Sequence, residues 1–128
     1  MGINVTELTI KEWELMRICW KSKDFIVKHI TDQMPEDHKR SYQIVKMQLD
    51  RLVEKGFLER KRIGPIWIYN TIKTKEDAIL QATKDFVKHV LNGDLQPLCF
   101  YFSEQLKNYK DEDVQLFFTC VEKMKEEK

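Results

Sequence analysis

Cysteine, proline and glycine are all scarce in this chain, with three, three and four among its 128 residues. Cys19, Cys99 and Cys120 are odd in number, far apart and each set in an apolar stretch, which excludes a disulfide framework. They read as small buried hydrophobes. Gly2, Gly56, Gly64 and Gly93 fall at the terminus, a helix end, a turn and a second helix end, so no glycine-rich loop is present to cradle a phosphate. No serine or cysteine stands in a nucleophile elbow with a histidine marked as its base, and catalysis is not expected. His29, His38 and His89 share no ligand spacing with one another or with the cysteines, so neither a metal nor a cofactor is expected. Long hydrophobic runs are missing too. The start "MGINVTELTIKEWELM" lacks the apolar core of a signal peptide, and no run approaches membrane-spanning length, so a cytoplasmic protein is expected. "MGINVT" fits the Met-Gly-x-x-x-Thr myristoylation pattern, a short match that is common by chance.

What the chain does hold is 42% hydrophobic residues, enough for a core, and an uneven distribution of charge. Residues 1–73 carry 14 Lys and Arg against 10 Asp and Glu, whereas residues 74–128 carry 8 against 11. Between Lys39 and Arg62 the contrast sharpens: Lys39, Arg40, Lys46, Arg51, Lys55, Arg60, Lys61 and Arg62 face only Asp50, Glu54 and Glu59. Such a local patch suits a phosphate backbone; the alternative is an ordinary solvated face.

Periodicity separates the two. "TIKE", Thr9 to Glu12, is a capping box and opens a first helix, on which Trp13, Met16 and Trp20 share a face with Leu15, Ile18 and Cys19 widening it. The tryptophans read as core anchors. A second helix, roughly Ile26 to Met34, buries Val27, Ile30 and Met34 and stops before Pro35. After the polar connector "PEDHKR", Ser41 caps a third helix with Val45, Leu49 and Leu52 inward and Gln43, Met47 and Asp50 outward, Lys46 on the flank, ending at Gly56. "FLERKRI" and "IWIYNTI" then alternate with period two around Gly64-Pro65, a hairpin. The order predicts a mainly α fold with a small β-hairpin, a winged helix-turn-helix over residues 1–73 whose third helix enters the major groove.

Residues 74–128 are expected to dimerise. A long helix from about Lys75 to Leu91 carries Phe86 and Val90 and ends at Asn92-Gly93. Leu95, Leu98, Phe102 and Leu106 follow at helical spacing, and a last helix from near Asp111 presents Val114, Phe117, Phe118, Val121 and Met124. These helices total about fifty residues and cannot close a core alone, so a second copy is expected to cover them; the alternative folds them back onto the winged domain.

Taken together, "WELMRICW" from Trp13 to Trp20, "VKMQLDRLVEKGFLERK" from Val45 to Lys61, "IYNTI" closing the hairpin and "ATKDFVKHVLNGDLQPL" from Ala82 to Leu98 resemble the penicillinase-repressor family of bacterial winged-helix repressors. The resemblance implies a homodimer that represses transcription from a pseudo-palindromic double-stranded DNA operator. It places DNA contacts at Lys39, Arg40, Ser41, Tyr42, Gln43, Ile44, Lys46, Met47 and Arg51, and at Arg60, Lys61 and Arg62 of the hairpin. The family pattern Thr-Val-Arg-Thr is Ile44, Val45, Lys46 and Met47 here, so both hydroxyls are gone. A different operator is expected, with Lys46 the leading base or phosphate contact and Gln43 next, while Ile44 is open between reading face and core. A family cleavage bond, Asn-Phe, aligns with Tyr101-Phe102, so a regulatory protease acting there meets a different bond. The paired Cys-x-Cys tail of copper-responsive members is absent from "TCVEKMKEEK". The competing function is a protein-interaction module docking through Tyr42, Ile44 and Met47, against which the basic "ERKR" of Glu59 to Arg62 argues.

Overall fold

The computed structural model describes residues 7–126, with side chains through Lys123. "MGINVT" and the side chain of Met124, expected on the dimerising face, lie outside the described residues. Helix α1, Ile10–Cys19, begins as the sequence requires. Thr9 Oγ1 accepts from Glu12 N at 3.2 Å, and Glu12 Oε1 accepts from Thr9 N at 2.8 Å. Glu12 is buried, and the same Oε1 also accepts from Lys55 Nζ at 2.7 Å. Partial burial by itself would raise the Glu12 carboxyl, but Lys55 and the Thr9 backbone outweigh it and hold the group below the usual glutamate range. The start of α1 is thereby fastened to the end of the third helix.

Helix α2, Val27–Gln33, stops at Met34, whose ψ of 142° is the extended geometry demanded by the following Pro35. The polar connector makes one 3-10 turn, Glu36–His38, before Ser41 Oγ accepts from Ile44 N at 3.3 Å and caps α3, Tyr42–Glu54. Val45, Leu49 and Leu52 point inward and are fully buried. Gly56, at φ +87°, reverses the chain: its N–H donates to Val53 O at 3.1 Å and Phe57 N–H to Leu52 O at 3.0 Å. That pair of bonds closes the helix in a Schellman motif, with Leu52 and Phe57 buried as its apolar contact.

Strands β1, Leu58–Ile63, and β2, Ile66–Thr71, pair antiparallel around Gly64-Pro65, with Leu58 opposite Thr71 and Ile63 opposite Ile66. Residue Phe25 adds a short third pairing, exchanging hydrogen bonds with Tyr69 at 2.9 and 2.8 Å while their rings stack with centroids 6.1 Å apart. Trp13 and Trp20 lie against the core as expected, and Trp20 Nε1 donates to Lys73 O at 2.9 Å, tying the exit of the hairpin to α1. Helix α4, Lys75–His89, follows, with Thr74 Oγ1 accepting from Asp77 N.

The first compact unit runs to Thr83, beyond the boundary expected at Lys73, because Ala78 of α4 is buried in its core. The second, from Lys84, holds the rest of α4 together with α5, Gln96–Gln105, and α6, Asp111–Glu126. Asn92 and Gly93, at φ 53° and 79°, make the left-handed joint after α4. Helix α5 ends before Leu106, which lies in a 3-10 turn instead of continuing the helical stripe. All the buried apolar residues found among the described side chains lie in the first unit. In the second, Leu98, Phe102, Leu106 and Val114 are partly covered, whereas Phe86, Val90, Leu95, Phe117, Phe118 and Val121 are exposed. Cys99 and Cys120 are exposed as well, contrary to the burial expected of them; three short helices have too little mass to wrap their own apolar residues. Cys19 alone is buried as expected, and burial pushes its thiol up to about 12. Among the described residues no helix is long and apolar enough to cross a membrane.

Candidate nucleic-acid interface

The inward stripe of Val45, Leu49 and Leu52 fixes what α3 shows outward. Tyr42, Gln43, Ile44 and Met47 on its N-terminal half are exposed, and Arg51 follows a turn later. Ile44, open between core and surface in the sequence, is 43% exposed and belongs to the surface. Gln43 and Arg51 carry no partner among the described residues.

Beside this face, Asp50 gathers three donors, one each from α3, β1 and β2. Its Oδ2 accepts from Lys46 Nζ at 2.8 Å, and its Oδ1 accepts from Arg60 Nη1 and from the Tyr69 hydroxyl, each at 2.6 Å. Partial burial would raise the Asp50 carboxyl; the hydrogen bonds of Lys46 and Tyr69 and the charges of Lys46 and Arg60 prevail and hold it below the ordinary aspartate range. Burial first, and then the Asp50 carboxylate, push the Tyr69 phenol well upward, so it stays protonated and donates. Lys46, expected to be the leading DNA contact, is held in an ion pair with Asp50, with about a third of its side chain, 35%, exposed.

The wing has two unlike faces. Cross-strand register sets Arg60 opposite Tyr69 and Arg62 opposite Trp67, all on one side. The guanidinium of Arg60 lies 4.3 Å from the Trp67 ring centroid and that of Arg62 5.5 Å, while Arg62 Nε also donates to Gly64 O at 3.2 Å. Lys61 is exposed on the opposite side, without a partner among the described residues.

Two cations of the connector make contacts within the fold. Lys39 Nζ donates to Thr31 O and Asp32 O at 3.1 and 3.2 Å, satisfying carbonyls at the end of α2. Arg40 reaches Gln48 Oε1 at 3.0 Å and both Glu14 oxygens at 3.3 Å, leaving 10% of its side chain exposed. Arg40, expected as a backbone contact, bolts the turn to α1 and α3 in the unbound chain through Glu14 and Gln48. His38 Nδ1 shares that carboxylate at 3.0 Å, and Glu14, then Asp37, raise its pKa above the ordinary histidine value.

Tyr69, Trp67 and Glu14 shape the surface without standing out in the sequence, and Asp50 reads there as an outward residue of α3 with no partner assigned to it. The i, i+4 spacing of Lys46 and Asp50 was readable, and so was the two-residue turn that places Tyr69 and Trp67 across from arginines. The fold that brings Asp50 to the wing was not. Among the described residues no group of three or more His, Cys, Asp or Glu gathers to hold a metal ion.

The sequence pattern of the family described as Penicillinase repressor matches residues 8–122. The chain belongs to that family. It is 27% identical over 110 residues to the methicillin resistance regulatory protein MecI of Mammaliicoccus sciuri, covering 86% of this chain and 89% of that protein. The penicillinase repressor of Staphylococcus aureus is 23% identical over 117 residues, covering 90% of this chain and 93% of that one. In fold, the chain is similar to the solution structure of the DNA binding domain of the repressor BlaI, at TM-score 0.50 and 20% identity, over 59% of this chain and 93% of that one. The winged helix-turn-helix is thus the architecture of this family member, and the family is one of transcriptional repressors.

Proposed function

We propose that this penicillinase-repressor family member is a cytoplasmic, sequence-specific DNA-binding transcriptional repressor that works as a homodimer on a pseudo-palindromic operator. The observation that carries this reading is α3 itself. Its N-terminal half presents four exposed side chains, Tyr42, Gln43, Ile44 and Met47, beside a basic hairpin locked to the same helix through Asp50. A helix of 13 residues with its opposite side buried is what a major groove admits. Arg51, Lys61 and Arg62 supply charge for flanking phosphates.

Dimerisation is supported by the apolar surface of the second unit. Phe86, Val90, Leu95, Phe117, Phe118 and Val121 are each at least 37% exposed, an unusual load for a surface facing water. Two copies sharing it would hold one α3 in each half-site. The domain assignment that follows is a DNA-binding winged unit with dimerising helices after it. A regulatory protease acting at Tyr101-Phe102 would meet that bond inside α5, so release by cutting there requires the helix to open.

Selection of bound duplexes from a random pool by the purified full chain tests the reading. An enriched palindrome whose affinity falls steeply with salt is the expected result. Weak binding to every sequence, with nothing enriched, would replace the repressor reading by a protein dock at Tyr42, Ile44 and Met47.

A further inference from the structure

The base-facing half of α3 is apolar. Ile44 and Met47, one turn apart, are 43% and 54% exposed, and apolar surface left in water is relieved only by an apolar partner. Within the major groove the base edges present donors and acceptors, and one group is apolar: the C5-methyl of thymine. Laying Ile44 and Met47 over polar edges would remove water from those edges without replacing its hydrogen bonds.

The cations that would otherwise read bases here are engaged elsewhere, Lys46 and Arg60 both on Asp50 at 2.8 and 2.6 Å. Gln43 keeps its amide free of partners among the described residues, and that head group matches N6 and N7 of adenine, the base that pairs with thymine. Apolar pair and amide therefore ask for the same kind of base pair. Arg51, one turn beyond Met47 on α3 and without a partner among the described residues, adds positive charge beside this patch, which suits a polyanion better than an apolar protein surface.

Resting on the DNA-reading function proposed above, we infer that Ile44 and Met47 recognise thymine through its methyl group, with Gln43 on a neighbouring adenine. Each half-site then carries A·T pairs beneath the N-terminal half of α3.

The test substitutes deoxyuridine for thymine, one position at a time, in the duplex enriched by random-pool selection. Uracil keeps the pairing edge and the O4 acceptor and lacks only the methyl. The full chain should lose about fourfold in affinity per contacted thymine. The Met47→Ala and Ile44→Ala chains, checked for retained helicity, should bind more weakly and each become indifferent to uracil at one such position. An enriched operator on which uracil costs the wild-type chain nothing overturns the inference and leaves DNA reading intact. A uracil penalty undiminished in both variants also overturns it, because other groups then read the methyl. Failure to enrich any sequence overturns the DNA-reading function and this inference with it.

Discussion

The hydroxyl of Tyr69, on the second strand of the wing, donates to Oδ1 of Asp50, on α3, across 2.6 Å. With Arg60 on the same oxygen and Lys46 on the other, one carboxylate ties helix to hairpin and occupies two cations. On the DNA-binding reading proposed above, this carboxylate offsets two cations close to the exposed face of α3, and so would lower attraction for DNA of any sequence.

Replacing Asp50 with Asn should therefore strengthen binding to random DNA while narrowing the margin for the operator. Freeing Lys46 and Arg60 adds up to about two phosphate contacts, so the plot of log affinity against log salt should steepen by roughly 1 to 2. Titrating a nonspecific duplex between about 0.05 and 0.3 M salt measures it. An unchanged slope would show that neither cation reaches the backbone even when released.

Tyr69→Phe isolates the hydrogen bond from the ring. The stack on Phe25 and the burial are kept, and Asp50 retains Arg60 and Lys46, so the loss should be about 1–2 kcal/mol in urea unfolding. Because the phenol is protonated throughout the neutral range, the loss should not vary with pH there. Leu49→Ala, by contrast, opens a cavity at a site of 0% exposure and should cost about 3 kcal/mol with an unchanged denaturant slope.

Residue His38 gives the fold a pH dependence of known sign. Glu14 and then Asp37 raise its pKa above 6.5 in the folded chain. The stabilisation is fully present below the unfolded value near 6.5 and is lost as pH rises through the higher folded value. Urea midpoints should fall between about pH 5.5 and 8.5, and His38→Asn should flatten that part of the profile. A histidine titration by NMR with its midpoint at the unperturbed value would remove the cause.

Most of this architecture was legible in the sequence because local chemistry and periodicity agree. The Thr9 box, the Ser41 cap, Gly56 and the Gly64-Pro65 turn each mark an element end, and the stripe of Val45, Leu49 and Leu52 fixes the outward face of α3. What stayed hidden depends on long-range placement. Arg40 reads as a surface cation until α1 brings Glu14 beside it, and Lys46 reads as a free contact although Asp50 lies four residues on. The exposure of Cys99 and Cys120 was missed for a related reason: an apolar neighbourhood in sequence predicts burial only when enough chain is present to provide it.

That shortage of chain underlies the remaining prediction. In the second unit the aromatic rings of Phe102 and Phe117 meet at 5.0 Å and those of Phe117 and Phe118 at 5.9 Å, yet Phe117 and Phe118 remain 41% and 50% exposed. A contact that closes this surface should thus depend on the two phenylalanines. Changing both to Ser should halve the mass seen by sedimentation equilibrium. The winged unit, which has its own core, should keep its hairpin and its Trp20 environment. Operator affinity should fall by orders of magnitude, since a single winged unit engages one half-site, while affinity for random DNA should change much less. Unaltered dimer mass would place the interface elsewhere on the chain. A monomeric wild type with full operator affinity would remove the need for a second copy altogether.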